Sequence, residues 1–83
     1  MDSNKITELS NIINSLTSSI FANQAVSTSD KESLTRLRSD FEGIIREYQQ
    51  RIDSVTSSFI SRLQSKTDEI RRRVDDINSK ISG

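Results

Sequence analysis

Apolar side chains recur every eleven residues through the C-terminal two thirds of this chain. Eleven residues make almost three turns of an α-helix, at about 3.67 residues per turn, so these side chains form one apolar stripe along one side of a helix. The stripe has three columns: Leu37, Tyr48, Phe59, Ile70 and Ile81; Phe41, Ile52, Leu63 and Val74; Ile44, Val55, Lys66 and Ile77. The rest of an 83-residue chain is too short to cover a stripe of this length, so the pattern predicts a helical assembly.

The composition leaves association between chains as the main source of stability. Apolar residues are 31% of the chain, against about 45–50% in typical globular domains, a figure that also counts glycine. A single domain of 83 residues with so few apolar side chains would be marginal by itself. The chain contains neither cysteine nor histidine, which excludes disulfides and the usual zinc ligands. We therefore treat residues 1–83 as one coiled-coil module that forms oligomers.

Charge and hydropathy exclude several classes of function. Lys plus Arg and Asp plus Glu number 12 each, so the net charge is zero, whereas nucleic-acid binding needs a surplus of basic side chains. No apolar run approaches the ~20 residues that cross a bilayer. The N-terminal segment carries acids and lacks the apolar core of a secretory signal. With no cysteine either, we expect an intracellular, cytoplasmic protein that does not bind nucleic acid.

The N-terminal segment predicts a short helix over about residues 4–24. Five apolar residues with spacings of 3, 4, 3 and 4 share one face of it: Ile6, Leu9, Ile13, Leu16 and Ile20. Turn-prone polar residues follow, and they predict a turn at about residues 25–29 with Ala25 and Val26 packed beneath it. Ser29 and Glu32 then match the S-x-x-E capping box that begins a helix.

A second, long helix is predicted over about residues 30–82, and it would span roughly 75 Å at 1.5 Å per residue. Proline is absent and glycine occurs only at Gly43 and Gly83, as long helices require. Gly43 indicates a close approach of the first helix, a local bend or a tolerated surface position. The helix carries acid-before-base pairs four residues apart, each worth about 0.2–0.5 kcal/mol. These pairs are Glu32–Arg36, Glu42–Arg46, Glu47–Arg51, Asp68–Arg72, Glu69–Arg73 and Asp76–Lys80.

Together the two segments predict an all-α fold, an unequal helical hairpin that assembles as an oligomeric coiled coil or bundle with eleven-residue periodicity. The short helix folds over the first half of the long helix. The predicted hairpin core contains Ile6, Leu9, Ile13, Leu16, Ile20, Leu34, Leu37, Phe41, Ile44, Ile45, Tyr48 and Ile52. The distal half of the long helix has nothing in its own chain to cover it. Its apolar residues form the predicted oligomer interface: Phe59, Leu63, Ile70, Val74, Ile77 and Ile81.

Three polar residues, Arg62, Lys66 and Thr67, interrupt the apolar stripe between Phe59 and Ile70. Buried polar groups in such a seam set the register and the number of associating helices. The alternative is that the two basic residues lie at the edge of the stripe and keep their charges in water. The bulk of the aromatic residues on the stripe favours three or more helices per cross-section, so we expect a trimer or a tetramer.

The sequence offers no catalytic, cofactor-binding or metal-binding residues. The acids lie at ion-pair spacing on polar faces, and neither a Gly-rich phosphate loop nor a nucleophile–base pair occurs. The basic run of residues 71–73 is flanked by acids on both sides, which weakens it as a binding patch. We therefore predict a non-enzymatic structural or scaffolding module that self-associates and mediates protein–protein interaction.

Two alternatives remain open from the residues alone. In the first alternative, the chain is a subunit of a hetero-helical complex, and another helical protein covers the stripe. In the second alternative, the chain binds the membrane surface. Its first helix, with bulky apolar residues opposite a Ser/Thr/Asn face, resembles lipid-packing sensor helices. Its eleven-residue repeats are likewise similar in pattern to those of apolipoproteins and synucleins, a resemblance that implies a lipid surface as the partner.

Overall fold

A computed structural model describes residues 3–49 and 57–82, and within these the side chains of residues 4–47 and 58–82. The chain forms three helices: α1 (Ser3–Ala22), α2 (Thr28–Gln49) and α3 (Ser57–Ser82). No strand occurs in the described ranges. The all-helical fold class predicted from the sequence is therefore confirmed.

The helices form an elongated three-helix bundle of 46 × 17 × 17 Å. The α2 and α3 helices are antiparallel, because Asp30 near the start of α2 pairs with Lys80 near the end of α3. The α1 and α2 helices are antiparallel across a short turn, and Arg38 of α2 donates a hydrogen bond to Asn14 of α1. The α3 helix packs closely on both, whereas α1 and α2 approach each other much less. The core therefore lies mainly along α3.

The apolar spacing of the N-terminal segment predicts a helix over residues 4–24. This range matches α1 closely. Leu9, Ile13 and Ile20 on its inner face are buried, and Thr17 between them is also buried. The Thr17 hydroxyl donates to the Ile13 carbonyl at 2.8 Å, so the buried oxygen keeps a partner. The outer face is rich in Ser, Thr and Asn, which favour helix only weakly. Packing against α3 therefore stabilises α1.

The turn between α1 and α2 is held by its own backbone and by one side chain. The amide of Ala25 donates to the side-chain oxygen of Asn23 at 2.8 Å, and the amide of Val26 donates to the Asn23 carbonyl at 3.2 Å. Val26 is 5% exposed and packs beneath the turn as predicted, whereas Ala25 is exposed. The turn comprises residues 23–27, about two residues earlier than predicted.

The predicted capping box at Ser29 and Glu32 is wrong by two residues. Ser27 caps α2: its hydroxyl accepts a hydrogen bond from the Asp30 amide at 3.1 Å, and its carbonyl accepts one from the Lys31 amide at 3.1 Å. Both serines have an acid three residues later, so the local pattern is ambiguous. Burial of Val26 decides between them, because it holds the chain against the core just before Ser27.

The structure also corrects the single helix predicted over residues 30–82. Lys80 Nζ and Asp30 Oδ2 lie 2.7 Å apart, whereas a straight helix would separate these residues by roughly 75 Å. The chain reverses between α2 and α3, so the two-helix hairpin becomes a three-helix bundle. The physical reason is that α1 and α2 together offer an apolar surface that covers the distal stripe. Ile52 and Val55, at the predicted middle of the helix, lie outside the described residues.

The predicted hairpin core falls into three groups. Leu9, Ile13, Ile20, Leu34, Phe41 and Ile44 are buried. Ile6, Leu16, Leu37 and Ile45 are partly buried and pack against them. The side chains of Tyr48 and Ile52 lie outside the described part of the chain. The core also includes Val26 and most of the stripe of α3, which makes it one continuous cluster through all three helices.

Candidate association surface

The apolar face of α3 is the largest contact surface that any helix offers in this fold. Its residues are spaced 4, 4, 3, 4 and 3 apart and are all at most 4% exposed: Phe59, Leu63, Thr67, Ile70, Val74 and Ile77. This spacing keeps them on one side of a helix over five turns. The face lies against both α1 and α2. Five of the six residues predicted as an oligomer interface are therefore buried within one chain, and Ile81 remains 37% exposed at the end of the helix.

Thr67 is a core residue that keeps its hydroxyl satisfied within α3. It is fully buried, and its hydroxyl donates to the Leu63 carbonyl at 2.8 Å. The neighbouring pair between Lys66 and Asp40 places Thr67 at the level of Phe41 in α2. Thr67 thus occupies a buried position of the stripe beside an ion pair that joins α2 to α3. Its predicted role in setting the register stays a prediction.

Arg62 and Lys66 lie at the edge of the stripe and reach acids of α2. Arg62 pairs with Glu47 at 3.4 Å, with its side chain 45% exposed. Lys66 is 20% exposed and lies 3.7 Å from Asp40 and 2.9 Å from Glu69. Lys66 is thus the more buried of the two side chains, and the predicted choice between setting the register and keeping the charges in water stays open. Exposed pairs of this kind contribute little energy but disfavour a shifted register.

The pair between Asp30 and Lys80 joins the start of α2 to the end of α3. The Lys80 ammonium donates to Asp30 at 2.7 Å, and the Asp30 side chain is 17% exposed. This hydrogen bond is the main reason that the pKa of Asp30 lies below its usual value; the charge of Lys80, the Ser27 hydroxyl and the charge of Arg73 add to it, while partial burial opposes it. The sequence pattern had paired Lys80 with Asp76, because no local signal identifies a partner 50 residues away.

The α3 helix therefore has an apolar face and, beside it, three ion pairs to α2. The pairs join residues 30 and 80, 40 and 66, and 47 and 62, so they all agree on one antiparallel register. A helix with this stripe and these charges fits the α1–α2 pair in one orientation.

A groove of about 180 Å³ lies between α1 and α2. It is lined by Ser10, Ile13, Asn14, Arg38, Phe41, Glu42 and Ile45. Arg38 bridges the groove, since its guanidinium donates to Asn14 at 3.0 Å and lies 5.6 Å from the centre of the Phe21 ring. Local spacing offers Arg38 the neighbours Phe41 and Glu42, three and four residues later, and does not identify a partner 24 residues away on α1.

Among the described residues, no group of three or more His, Cys, Asp or Glu side chains is placed so that it could hold a metal ion. The clefts beside α3 reach about 460 Å³ and are shallow. Arg72 and Arg73 share one of them with Glu69, Asp75 and Asp76, so acids surround the basic run as expected.

None of the three helices, as far as the structure describes them, is both long and apolar enough to cross a membrane. Comparisons with protein-family models, curated proteins and solved structures found no match to this chain.

Proposed function

We propose that this chain is a non-enzymatic structural module that self-associates through α3 and mediates protein–protein interaction. One observation carries the proposal: α3 packs closely on both other helices, while α1 and α2 pack less extensively on each other. The α1–α2 pair is therefore a receptor for a helix with the stripe of α3, whichever copy of the chain supplies that helix. The residues predicted as an oligomer interface are the ones that fill this receptor.

The surface chemistry supports a structural rather than a catalytic role. The net charge is zero, and cations and anions alternate along the exposed faces of α2 and α3. The lowered pKa of Asp30 is explained by its ion pair with Lys80, a structural contact between α2 and α3.

The assembled form that we propose is an oligomeric helical bundle built on the eleven-residue stripe. The sequence alone predicts association because it leaves the distal stripe uncovered, and it favours a trimer or tetramer because of the bulk of the aromatic residues on the stripe. In the bundle α1 and α2 already cover that stripe, so association between copies has to reuse these contacts. The oligomer number then follows from how many copies share their α3 helices.

The proposal is tested by measuring absolute mass by size-exclusion chromatography with light scattering, together with far-ultraviolet circular dichroism, over a concentration series. We expect a discrete, strongly helical oligomer whose share rises with the concentration at which the chain was refolded. A strongly helical monomer at every concentration would contradict self-association.

The alternative is a hetero-helical complex, in which a helix of another protein takes the place of α3 on the α1–α2 pair. A chain that needs such a partner to fold would be weakly helical by itself in the same dichroism measurement. A cooperative helical signal from the purified chain would contradict that form of the alternative. Membrane binding through α1 is not proposed, because its apolar face is buried against α3.

A further inference from the structure

We propose that two copies of this chain exchange α3, so that the α3 of each copy packs on the α1–α2 pair of the other. In this dimer α2 and α3 form one continuous helix. The inference rests on the proposed function and deepens it, because it states which partner occupies the α1–α2 receptor and by which residues. The partner is a second copy, and the exchanged segment is residues 57–82.

The first ground is that a second copy of the chain offers α3 the same packing surface as its own chain does. Its apolar face is covered wholly by α1 and α2, including the contacts of Phe59, Leu63 and Ile70. Exchange therefore conserves the core and requires no new interface, which makes it a low-cost route from a monomer to a dimer.

The polar contacts of α3 are equally transferable. The Asp30–Lys80, Asp40–Lys66 and Glu47–Arg62 pairs all join α2 to α3, and each can form between copies with the same geometry. They also enforce the antiparallel register in the dimer. Only the connection between α2 and α3 changes between the two forms.

The second ground is the sequence that joins the two helices. The apolar stripe continues from α2 into α3 without a change of phase, since Tyr48, Ile52, Val55 and Phe59 are spaced 4, 3 and 4 residues apart. Residues 50–56, QRIDSVT, contain no Gly, Pro or Asn. The sequence is thus compatible with helix from residue 28 to residue 82, and the stripe then runs along its whole length.

The other connection behaves differently, and this contrast determines which element is exchanged. The turn of residues 23–27 has a capping serine, Ser27, and a side-chain bond from Asn23, so the sequence encodes a reversal there. Arg38 further ties α2 to α1 through Asn14 and Phe21. The α1–α2 pair therefore stays within one chain, and α3 is the segment that moves.

The test uses cross-linking between cysteines, which is unambiguous because the chain has none. The double variant Asp30→Cys/Lys80→Cys is folded, its monomer and dimer fractions are separated, and each is treated with a short bis-maleimide. In an exchanged dimer residue 30 of one copy faces residue 80 of the other. We expect the dimer fraction to give a covalent dimer on a denaturing gel and the monomer fraction to give a closed monomer.

A matched control places the cysteines across α1 and α2 instead. Asn14→Cys/Arg38→Cys replaces a contact of 3.0 Å that stays within one chain in both forms. It should give closed monomers from both fractions. If loss of the Asp30–Lys80 pair prevents folding, Asp40→Cys/Lys66→Cys probes the same two helices at another level.

The outcomes separate the exchange from self-association itself. A dimer fraction that yields only closed monomers from the α2–α3 cysteine pairs would overturn the exchange and leave self-association intact. A discrete trimer or tetramer without any dimer fraction would also overturn the exchange of α3 between two copies. A monomer at every concentration would overturn both the exchange and self-association. As a second measurement, a Gly-Ser insertion between residues 53 and 54 interrupts the continuous helix and lets α3 fold back. It should cause loss of the dimer with the helical monomer retained; an undiminished dimer would count against the exchange.

Discussion

At the scale of single residues, Gly43 shows how a structure resolves a choice that the sequence leaves open. A methyl group at this position would meet only the Arg46 Nη2 atom, at 3.9 Å. That atom is the end of a flexible side chain. Gly43 is therefore a tolerated position with open space around it, rather than a point where α1 approaches α2 closely.

Gly43→Ala should stabilise the protein by about 0.5–1 kcal/mol, because alanine loses less backbone entropy in a helix. The shift in thermal midpoint should be a few degrees upward, since about 1 kcal/mol corresponds to roughly 4–8 °C in a domain of this size. Thermal unfolding followed by circular dichroism measures it. A lower midpoint would show that the added methyl group meets an obstacle.

Asp30 determines part of the response to acid. Its folded-state pKa is lowered, chiefly by the hydrogen bond from Lys80, so its contribution to stability is present above the unfolded value of 3.8. That contribution is lost as the pH falls through the folded-state pKa. We expect Asp30→Asn to make the free energy of unfolding less dependent on pH in this acid range, as measured by urea denaturation at a series of pH values.

Lys80→Gln is the partner variant for this prediction. It removes the main cause of the shift while leaving the carboxylate, so it should reduce the same pH dependence. If both variants keep the pH profile of the parent chain, the Asp30–Lys80 pair has no role in acid stability.

At the scale of elements, the start of α2 depends on one hydroxyl group. Ser27→Ala removes the acceptor for the Asp30 amide and should cost about 1 kcal/mol, the usual loss for a helix N-cap. Ser29→Ala is the matched control, since Ser29 is exposed within the first turn and does not cap the helix. Urea denaturation compares the two. If Ser29→Ala lowers the free energy of unfolding as much as Ser27→Ala or more, then Ser29 caps the helix, as the sequence pattern predicts.

The α2 and α3 helices show that a charge pattern predicts whether a segment is helical better than it predicts which helix that segment packs against. Acid-before-base spacing correctly indicated helix over both segments. Lys80, which that spacing paired with Asp76, instead contacts Asp30 on the facing helix, and Arg62 and Lys66 also reach acids of α2. Local spacing carries no information about such contacts, because they depend on where the chain reverses.

At the scale of the whole molecule, the stripe of α3 holds the bundle together. Leu63 is fully buried, and Leu63→Ala should cost about 2–5 kcal/mol through lost burial and the cavity left behind. That is a large part of the roughly 5–15 kcal/mol that stabilises a typical domain. Ser65→Ala, on the exposed side of the same helix, should change stability little. Urea midpoints measure both, and similar values for the two would contradict the packing of α3.

The sequence by itself determined the helical class, the extent of α1 and the residues of the apolar stripe, because periodicity and helix propensity act over a few turns. The core role of Leu9, Ile13 and Ile20 could be predicted in this way. The tertiary structure alone decided that Phe59, Leu63 and Ile70 are covered within one chain, that Ser27 rather than Ser29 caps α2, and that Lys80 binds Asp30. The physical reason is that one apolar stripe is satisfied equally by its own chain or by another, so the stripe cannot specify which surface covers it.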